Sequence, residues 1–398
     1  MSLIPAFTHQ PFLSDPYPVY RQLHAQGVTG WDEDRQMWLV WGYAEAHEAL
    51  KSPQLSAKTA ASRLGGAGPR YTPVAEAVSH FLTRLDAPEH NRLRGLLLRA
   101  FTPRAVEKME DIIRVCVSEL LEAHLHSGRM DIVTDLAIPL PLTVIGTMLG
   151  VPREDHVQVK AWASTLGGIA DLDPTPDALE RALQALEAFR DYVGRLIARH
   201  QRQPGDDLLA ALVAVEEAGD QLSPDELMGI CQVLLIAGHE TTTCLLGNAV
   251  QLLLAHPDVL AAVRQTSQLL PGFIEEVLRY DSPVPVRTRV ATQELELGGQ
   301  PVVAGQTLLL LLGAANRDPR VFSHPDHFDI HRLPNHHLAF GEGPHYCLGS
   351  ALARLEGRIA VELLLAKMPR LALAPGAEIH RQPNFTLRGW QSLPVVFA

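Results

Sequence analysis

Phe340-Gly341-Glu342-Gly343-Pro344-His345-Tyr346-Cys347-Leu348-Gly349 decides how this 398-residue chain is read. Three glycines crowd a single thiol, and a helical pattern from about Ser350 to Lys367 begins immediately after it. Glycines at this spacing let backbone approach closely and take dihedrals barred to other residues. Amides can then point at the sulfur, and a flat ligand can lie over it without meeting a side chain. The helix behind aims its positive end at the sulfur and favours thiolate over thiol. Those are the needs of a cysteinate that ligates a metal through one bond and leaves the opposite face free. A lone cysteine is otherwise most often a small buried hydrophobe. Zinc would need about four ligands at close spacing, and Cys116, Cys231 and Cys244 offer no second knuckle.

The length prior suggests two or three domains, enough for a core able to enclose a cofactor. Hydrophobic residues make up 46% and charged residues 20%, an ordinary globular balance. The net charge of −11 makes general nucleic-acid binding a poor expectation. Four scattered cysteines form no disulfide framework and point to a reducing compartment. Met1 to Gln10 lacks the basic and apolar regions of a signal peptide. The longest apolar runs, Thr307–Ala315 and Val233–Leu254 (broken by His239 and Glu240), fall short of the roughly 20 clean residues of a membrane span. The expectation is a cytoplasmic protein with no membrane span.

Along the chain, Asp15-Pro16 opens a helix that Gly27 stops. Trp31 and Met37–Trp41 alternate like a short hairpin, and a helix follows from about Tyr43 to Leu50. From Pro88 helices dominate. One starts at Thr102-Pro103 and ends near Ser127-Gly128; another runs from about Leu136 to Leu149. Asp171–Asp177 is a polar hinge. Ser223-Pro224-Asp225-Glu226 is a capping box with proline at the first helical position. The helix it opens has no stop before Pro257, so about 33 residues span roughly 50 Å and make a spine through the core. Two more helices reach Tyr280. Short strands then follow at Arg287–Ala291, Glu294–Leu297 and Thr307–Leu312, with a Gly298-Gly299 turn. There is no repeat, charge block or long linker. The reading is one mainly helical domain over 1–398 with a small β region.

The ten-residue loop closely resembles the haem-binding loop of the cytochrome P-450 family, Phe-Gly-x-Gly-x-His-x-Cys-x-Gly, matching six fixed positions. The resemblance implies the cytochrome P-450 fold, with the long helix roofing haem b (iron protoporphyrin IX). Cys347 is then the proximal ligand, in a loop shaped by Phe340, Gly341 and Gly349; thiolate donation favours O–O cleavage. Further matches lie elsewhere. Ala237-Gly238-His239-Glu240-Thr241 in the spine resembles the family's oxygen-activating Ala-Gly-x-Asp/Glu-Thr. There, Gly238 leaves room for O2 and substrate, and Thr241 hydrogen-bonds the oxygen being activated. Glu240 helps relay protons to it, while His239 faces away from the iron. Glu276-Val277-Leu278-Arg279 matches the structural Glu-x-x-Arg, with Arg332 as its usual third member. His90 and Arg94 resemble the family's His-x-x-x-Arg, and Arg289 and His345 match two further contacts to the haem propionates. Arg287 is open: solvent, a propionate or an acidic group on the substrate.

What this implies is a monooxygenase that inserts one oxygen atom into a C–H or C=C bond of a lipophilic small molecule. No dinucleotide or flavin motif is fused to it, so a separate ferredoxin or flavodoxin with its NAD(P)H reductase is implied for a monomer. Arg92, Arg99 and Arg104 are the candidate basic patch for that partner. By analogy the substrate pocket is lined around Leu64, Leu82, Leu234, Ala237, Val284, Val286, Phe385 and Leu387, with core packing the alternative for each. A peroxide-driven peroxygenase on the same fold ranks second, and a non-catalytic haem protein that binds or senses a ligand ranks third. The intact Glu240–Thr241 pair argues against both.

Overall fold

A computed structural model of the chain describes residues 2–58, 68–168, 175–203, 205, 207–214, 216–217 and 220–397. The chain forms two compact units. The first comprises Met1–Ser56, Ile113–Pro139 and Thr241–Ala398; the second comprises Ala57–Ile112 and Leu140–Glu240.

The spine is a single helix, Pro224–Ala255. Its start is the expected capping box: Glu226 N donates to Ser223 Oγ at 3.2 Å, and Ser223 N donates back to Glu226 Oε2 at 2.8 Å. By length and composition this helix could cross a bilayer, yet 67% of its most apolar stretch is buried inside the protein. It is a core helix, and its 32 residues extend about 48 Å.

In the first unit a five-stranded sheet runs in the order Thr29–Asp32, Met37–Val40, Thr307–Leu310, Arg287–Ala291, Leu55–Ser56. The strand at 307–310 is parallel to 37–40 and antiparallel to 287–291, where Leu308 faces Arg289. Alternate residues of this apolar run feed two cores. Leu308 and Leu310 join Val40, Ala291 and Leu338. Leu309 and Leu311 join Tyr17, Tyr20, Leu39 and Trp41. A strand buried on both faces needs an unbroken apolar run, and Thr307–Leu312 supplies one. The helix Leu270–Tyr280 and the last helix, Ser350–Lys367, pack together in this unit.

The second unit is helical: Thr72–Ser79, Glu89–Ala100, His156–Gly168 and Pro176–Arg202 dominate it, beside the first half of the spine. One expected helix is divided and another starts later than expected. The one from Thr102-Pro103 divides into Pro103–Glu107 and Met109–Glu122, and the chain then turns through Gly128 at φ +64° into the strand Arg129–Asp131. The one expected from Leu136 begins at Pro139, and Val133–Ala137 form a wider π turn with Ile138 N donating to Val133 O at 2.9 Å. Prolines 139 and 141 have no N–H to continue a regular ladder across the junction. Part of the expected hinge, residues 171–174, lies outside the described residues.

A buried polar cluster ties the N- and C-terminal segments of the first unit. Asp281 accepts from Arg381 Nη2 at 2.6 Å, from Arg388 Nε and from the Tyr17 hydroxyl. Arg388 also donates to Leu13 O at 2.8 Å. Although burial raises the Asp281 carboxyl, the two guanidiniums outweigh it and hold it well below the carboxylate range. Replacing Asp281 by Asn leaves two buried cations without a counter-ion. A loss of about 3–5 kcal/mol in urea unfolding at neutral pH is expected.

Candidate active site

The cysteine loop folds back on itself. Cys347 N donates to Phe340 O at 2.9 Å, Tyr346 N to Gly343 O at 3.1 Å and Gly341 N to Leu338 O at 2.9 Å. Gly341 and Gly343 sit at φ +72° and +69°, where a side chain would be strained. At Gly343 a side chain would also start 3.0 Å from Lys51 and 3.2 Å from the Leu50 carbonyl. Gly349 is the opposite case: nothing lies within 4 Å of the point where its side chain would begin. The loop is therefore tightly backed on one side and open on another. Cys347 is half-exposed, whereas Cys116, Cys231 and Cys244 are buried. Burial pushes the Cys231 thiol up to about 12, so it stays protonated. Cys347 instead lies just before the helix Ser350–Lys367, whose N-terminal end favours thiolate.

Two neighbouring carboxylates on the helix Leu270–Tyr280 brace this loop and the chain leading to it. Glu276 holds Arg279 through two bonds, at 2.8 and 2.7 Å, and accepts from Arg332 Nε at 3.3 Å. It also accepts from the Asp329 amide and from Asn335. Arg279 carries the tie onward to the carbonyls of Asn316, Pro325 and His327. The expected Glu-x-x-Arg triad is thus assembled, with Glu276 and Arg279 wholly buried.

The second carboxylate, Glu275, was not legible as part of the site. It receives Arg354 Nε at 2.6 Å, Arg354 Nη2 at 2.8 Å and His337 Nε2 at 3.2 Å. The Arg354 guanidinium lies 4.4 Å over the Phe340 ring and reaches the Tyr346 hydroxyl. One arginine of the last helix therefore clamps both ends of the cysteine loop. Its sequence signal is weak, because the pair is 79 positions apart and no local spacing reports such a contact.

In the middle of the spine Leu234, Gly238 and Thr241 are half-buried and Ala237 is exposed, while the flanking turns are buried. Spacings of three and four place these residues along one helical stripe. Gly238 has a packing reason as well, since a side chain there would start 3.0 Å from Ile145. His239 points away from that stripe and is buried. Its Nδ1 lies 2.6 Å from the Leu235 carbonyl and must carry the proton, so Nε2 is left as an acceptor 3.4 Å from Ser164 Oγ. Burial brings His239 down to about 4, which keeps it neutral. Burial also raises the neighbouring Glu240 carboxyl, against smaller opposing effects from Ser164 and Lys160. Thr243 Oγ1 donates to Ala137 O and is structural.

Of the other expected residues, Arg289 is buried on its strand and Arg287 is exposed by area. His345 is half-exposed, Arg94 is half-buried, and His90 is buried with its pKa lowered by burial. Val286 belongs to the apolar cluster of Tyr20 and Leu39, and Phe385 stacks on Phe7 with ring centroids 4.1 Å apart. Leu82 and Val284 are buried and Leu387 is half-buried; Leu64 lies outside the described residues. The basic patch is thinner than expected. Arg92 is paired with Glu226, Arg99 is exposed, and the Arg104 side chain is outside the description.

A flat iron-bearing ligand fits what is present: one partly exposed cysteine at a helix N-terminus, glycine backbone open on one side, and several cationic side chains suited to carboxylates. Fold and loop together define a haem-thiolate protein. The family model described as Cytochrome P450 matches residues 28–385, and the chain belongs to that family. It is 41% identical to the cytochrome P450 monooxygenase PikC of Streptomyces venezuelae over 97% of this chain and 92% of the relative. It is 38% identical to the 6-deoxyerythronolide B hydroxylase of Saccharopolyspora erythraea over 99% of each. The fold is shared with CalO2 at a TM-score of 0.94 and 36% identity, covering 100% of this chain and 99% of that one. It is also shared with P450BioI, solved in complex with a hexadecenoic-acid-ligated acyl carrier protein, at a TM-score of 0.91 and 37% identity over 98% and 99%. The chain is a haem monooxygenase of small molecules, with the mainly helical cytochrome P450 fold and haem b as cofactor.

The Glu275 clamp makes a pH prediction. Burial alone would raise this carboxyl, but Arg354 and His337 bring it down to about 2. A carboxyl with a folded pKa below its unfolded value of about 4.3 stabilises fully above that pH, and the contribution fades as pH falls toward 2. Arg354→Met should therefore narrow the gap in unfolding free energy to wild type in acid relative to pH 7, where the loss should be about 3 kcal/mol. Urea melts at pH 7 and pH 3 check this.

Proposed function

We propose that the protein, working as one catalytic domain in the cytoplasm, inserts one atom of O2 into a C–H or C=C bond of a lipophilic small molecule. Its electrons come from a separate ferredoxin or flavodoxin with its NAD(P)H reductase. The observation that carries this reading is the acid–alcohol pair Glu240–Thr241 in the middle of the spine helix. Haem bound through Cys347 supplies the redox chemistry that activates oxygen. The side chains supply the protons. A carboxyl raised by burial keeps a larger protonated fraction near neutral pH than an ordinary carboxyl does, so it can hold a proton for delivery. Glu240 is partly accessible and touches Ser164, so it can be reloaded; Thr241, next in the chain, offers a hydroxyl that both accepts and donates. His239, neutral and buried, holds its tautomer and does not compete as a ligand.

His90, Arg94, Arg289 and His345 are assigned to the two propionates as hydrogen-bond donors, with the arginines supplying positive charge. Glu276, Arg279 and Arg332 are assigned to cofactor incorporation, because they fix the chain that delivers the loop and not the loop's own chemistry. The relatives named for a hydroxylase and a monooxygenase support oxygen insertion, and the apolar stripe at Leu234 and Ala237 supports a lipophilic substrate.

The test is a screen of fatty acids, terpenoids, steroids and polyketides for a spin-state change in the absorption spectrum, followed by turnover with a ferredoxin and its reductase. Hydroxylated or epoxidised product from that system supports the proposal; product from peroxide alone supports the peroxygenase, and none from either supports a ligand-binding protein. Thr241→Ala should retain haem and substrate binding but divert most reducing equivalents to hydrogen peroxide. Parallel assays of NAD(P)H consumed, peroxide formed and product released measure that loss of coupling.

A further inference from the structure

His239 and Glu240 meet a third side chain, Ser164 on the helix His156–Gly168, and all three belong to the second unit. His239 Nε2 lies 3.4 Å from Ser164 Oγ and 3.9 Å from Glu240 Oε1. The Ser164 hydroxyl also hydrogen-bonds the Glu240 carboxyl. One hydroxyl is therefore shared by an imidazole and a carboxyl. The imidazole is fixed: Nδ1 donates to Leu235 O at 2.6 Å and the side chain is 1% exposed, so the neutral ring can only accept at Nε2. The carboxyl is 29% exposed and open to exchange with solvent protons. Lys160, one turn before Ser164 on the same helix, is the charged group that acts on both His239 and Glu240.

Proton counting gives this triad two arrangements. Ser164 owns one proton and two lone pairs. With Glu240 ionised, Ser164 donates to the carboxylate, the stronger acceptor, and His239 Nε2 goes without. With Glu240 protonated, the carboxyl itself donates to Ser164 Oγ, and the serine proton turns to His239 Nε2. Both forms of the acid then keep a hydrogen bond to Ser164, and the protonated form also satisfies the buried imidazole. The distances suit this exchange. The 2.6 Å bond to Leu235 anchors the ring, while the 3.4 Å contact to Ser164 is loose enough to be made in one arrangement and given up in the other. A buried histidine that ligates nothing thereby acquires a reason: it is the acceptor that lets Glu240 hold its proton.

We propose that Ser164 and His239 are positioning residues for the proton donor Glu240, with the serine hydroxyl turning between carboxylate and imidazole as the acid loses and regains its proton. This rests on the Glu240–Thr241 reading above and assigns the neighbours that govern its proton. The step moves no electrons. A proton leaves Glu240 and the serine O–H turns to the carboxylate; a proton taken up from solvent reverses both.

Holoenzyme is first verified by its haem content and thiolate-type carbon monoxide spectrum. Infrared spectra of the ferric protein are then recorded against pH, and subtraction of Glu240→Gln isolates the carbonyl stretch of the protonated Glu240 carboxyl. In wild type that band should be present in acid and vanish as pH rises. Ser164→Ala removes the donor to the carboxylate and should move the loss of the band to higher pH; Ser164→Thr should bring it back. His239→Phe removes the alternative acceptor, leaves the serine proton on the carboxylate and should move the loss to lower pH. Opposite shifts of this kind do not follow from a mere loss of packing. Product formation with a ferredoxin and its reductase should fall about tenfold in Ser164→Ala, the kinetic equivalent of one hydrogen bond to a charged group, and recover in Ser164→Thr. Shifts of the same sign in Ser164→Ala and His239→Phe overturn the proposal, and so does an unshifted band in Ser164→Ala. If His239→Phe takes up no haem, the Ser164→Ala shift and its reversal in Ser164→Thr decide alone. Glu240→Gln with full rate and coupling overturns the proton-donor reading and this pairing with it, whereas a slow or uncoupled Glu240→Gln beside an unaltered Ser164→Ala overturns the pairing alone.

Discussion

A half-exposed thiol can hold an iron only if its sulfur is fixed in place, and here two adjacent carboxylates do the fixing. Glu275 and Glu276 are consecutive on one helix, so their side chains leave it about 100° apart. Glu275 reaches the last helix through Arg354, whose guanidinium covers Phe340 and touches Tyr346 at opposite ends of the cysteine loop. Glu276 reaches the approaching chain through Arg279 and Arg332. The backbone of the loop then closes on itself from Cys347 to Phe340. None of these contacts touches the thiol directly. They remove the freedom of everything around it.

The electrostatics follow the same division of labour. Buried charges that hold structure are paired: Asp281 between two arginines, Glu275 against Arg354 and His337. Groups assigned to chemistry are displaced from their ordinary behaviour instead. Burial raises Glu240 and lowers His239 on successive residues of one helix, which produces a proton-holding acid beside a neutral imidazole. Structural pairs pin their protonation states over a wide pH range. Displaced groups place theirs where a small change matters.

The sequence made much of this visible because the signals were local. The capping box at Ser223–Glu226 places the start of the spine, and the strand Arg287–Ala291 and the helix Ser350–Lys367 stand where alternation and helical periodicity put them. The Glu276–Arg279 pair is legible because its members are three residues apart. What was not legible depends on contacts across the chain. Arg354 and Glu275 look like ordinary surface charges until the fold brings them together, and so do Arg381 and Arg388 until they meet Asp281. Arg92, read as part of a docking surface, turns out to be neutralised by Glu226, 134 positions away. The helix expected from about Leu136 is present but starts at Pro139, after a π turn over Val133–Ala137.

The proposed function rests on Cys347 as the ligand of the haem iron. The most direct measurement is X-ray absorption at the iron edge of the purified ferric protein, on wild type and on a variant with Cys116, Cys231 and Cys244 all replaced by Ala. One sulfur in the iron's first shell, unchanged in the triple variant, is the predicted result. A shell of nitrogen and oxygen alone, or a sulfur lost with the three buried cysteines, would contradict it.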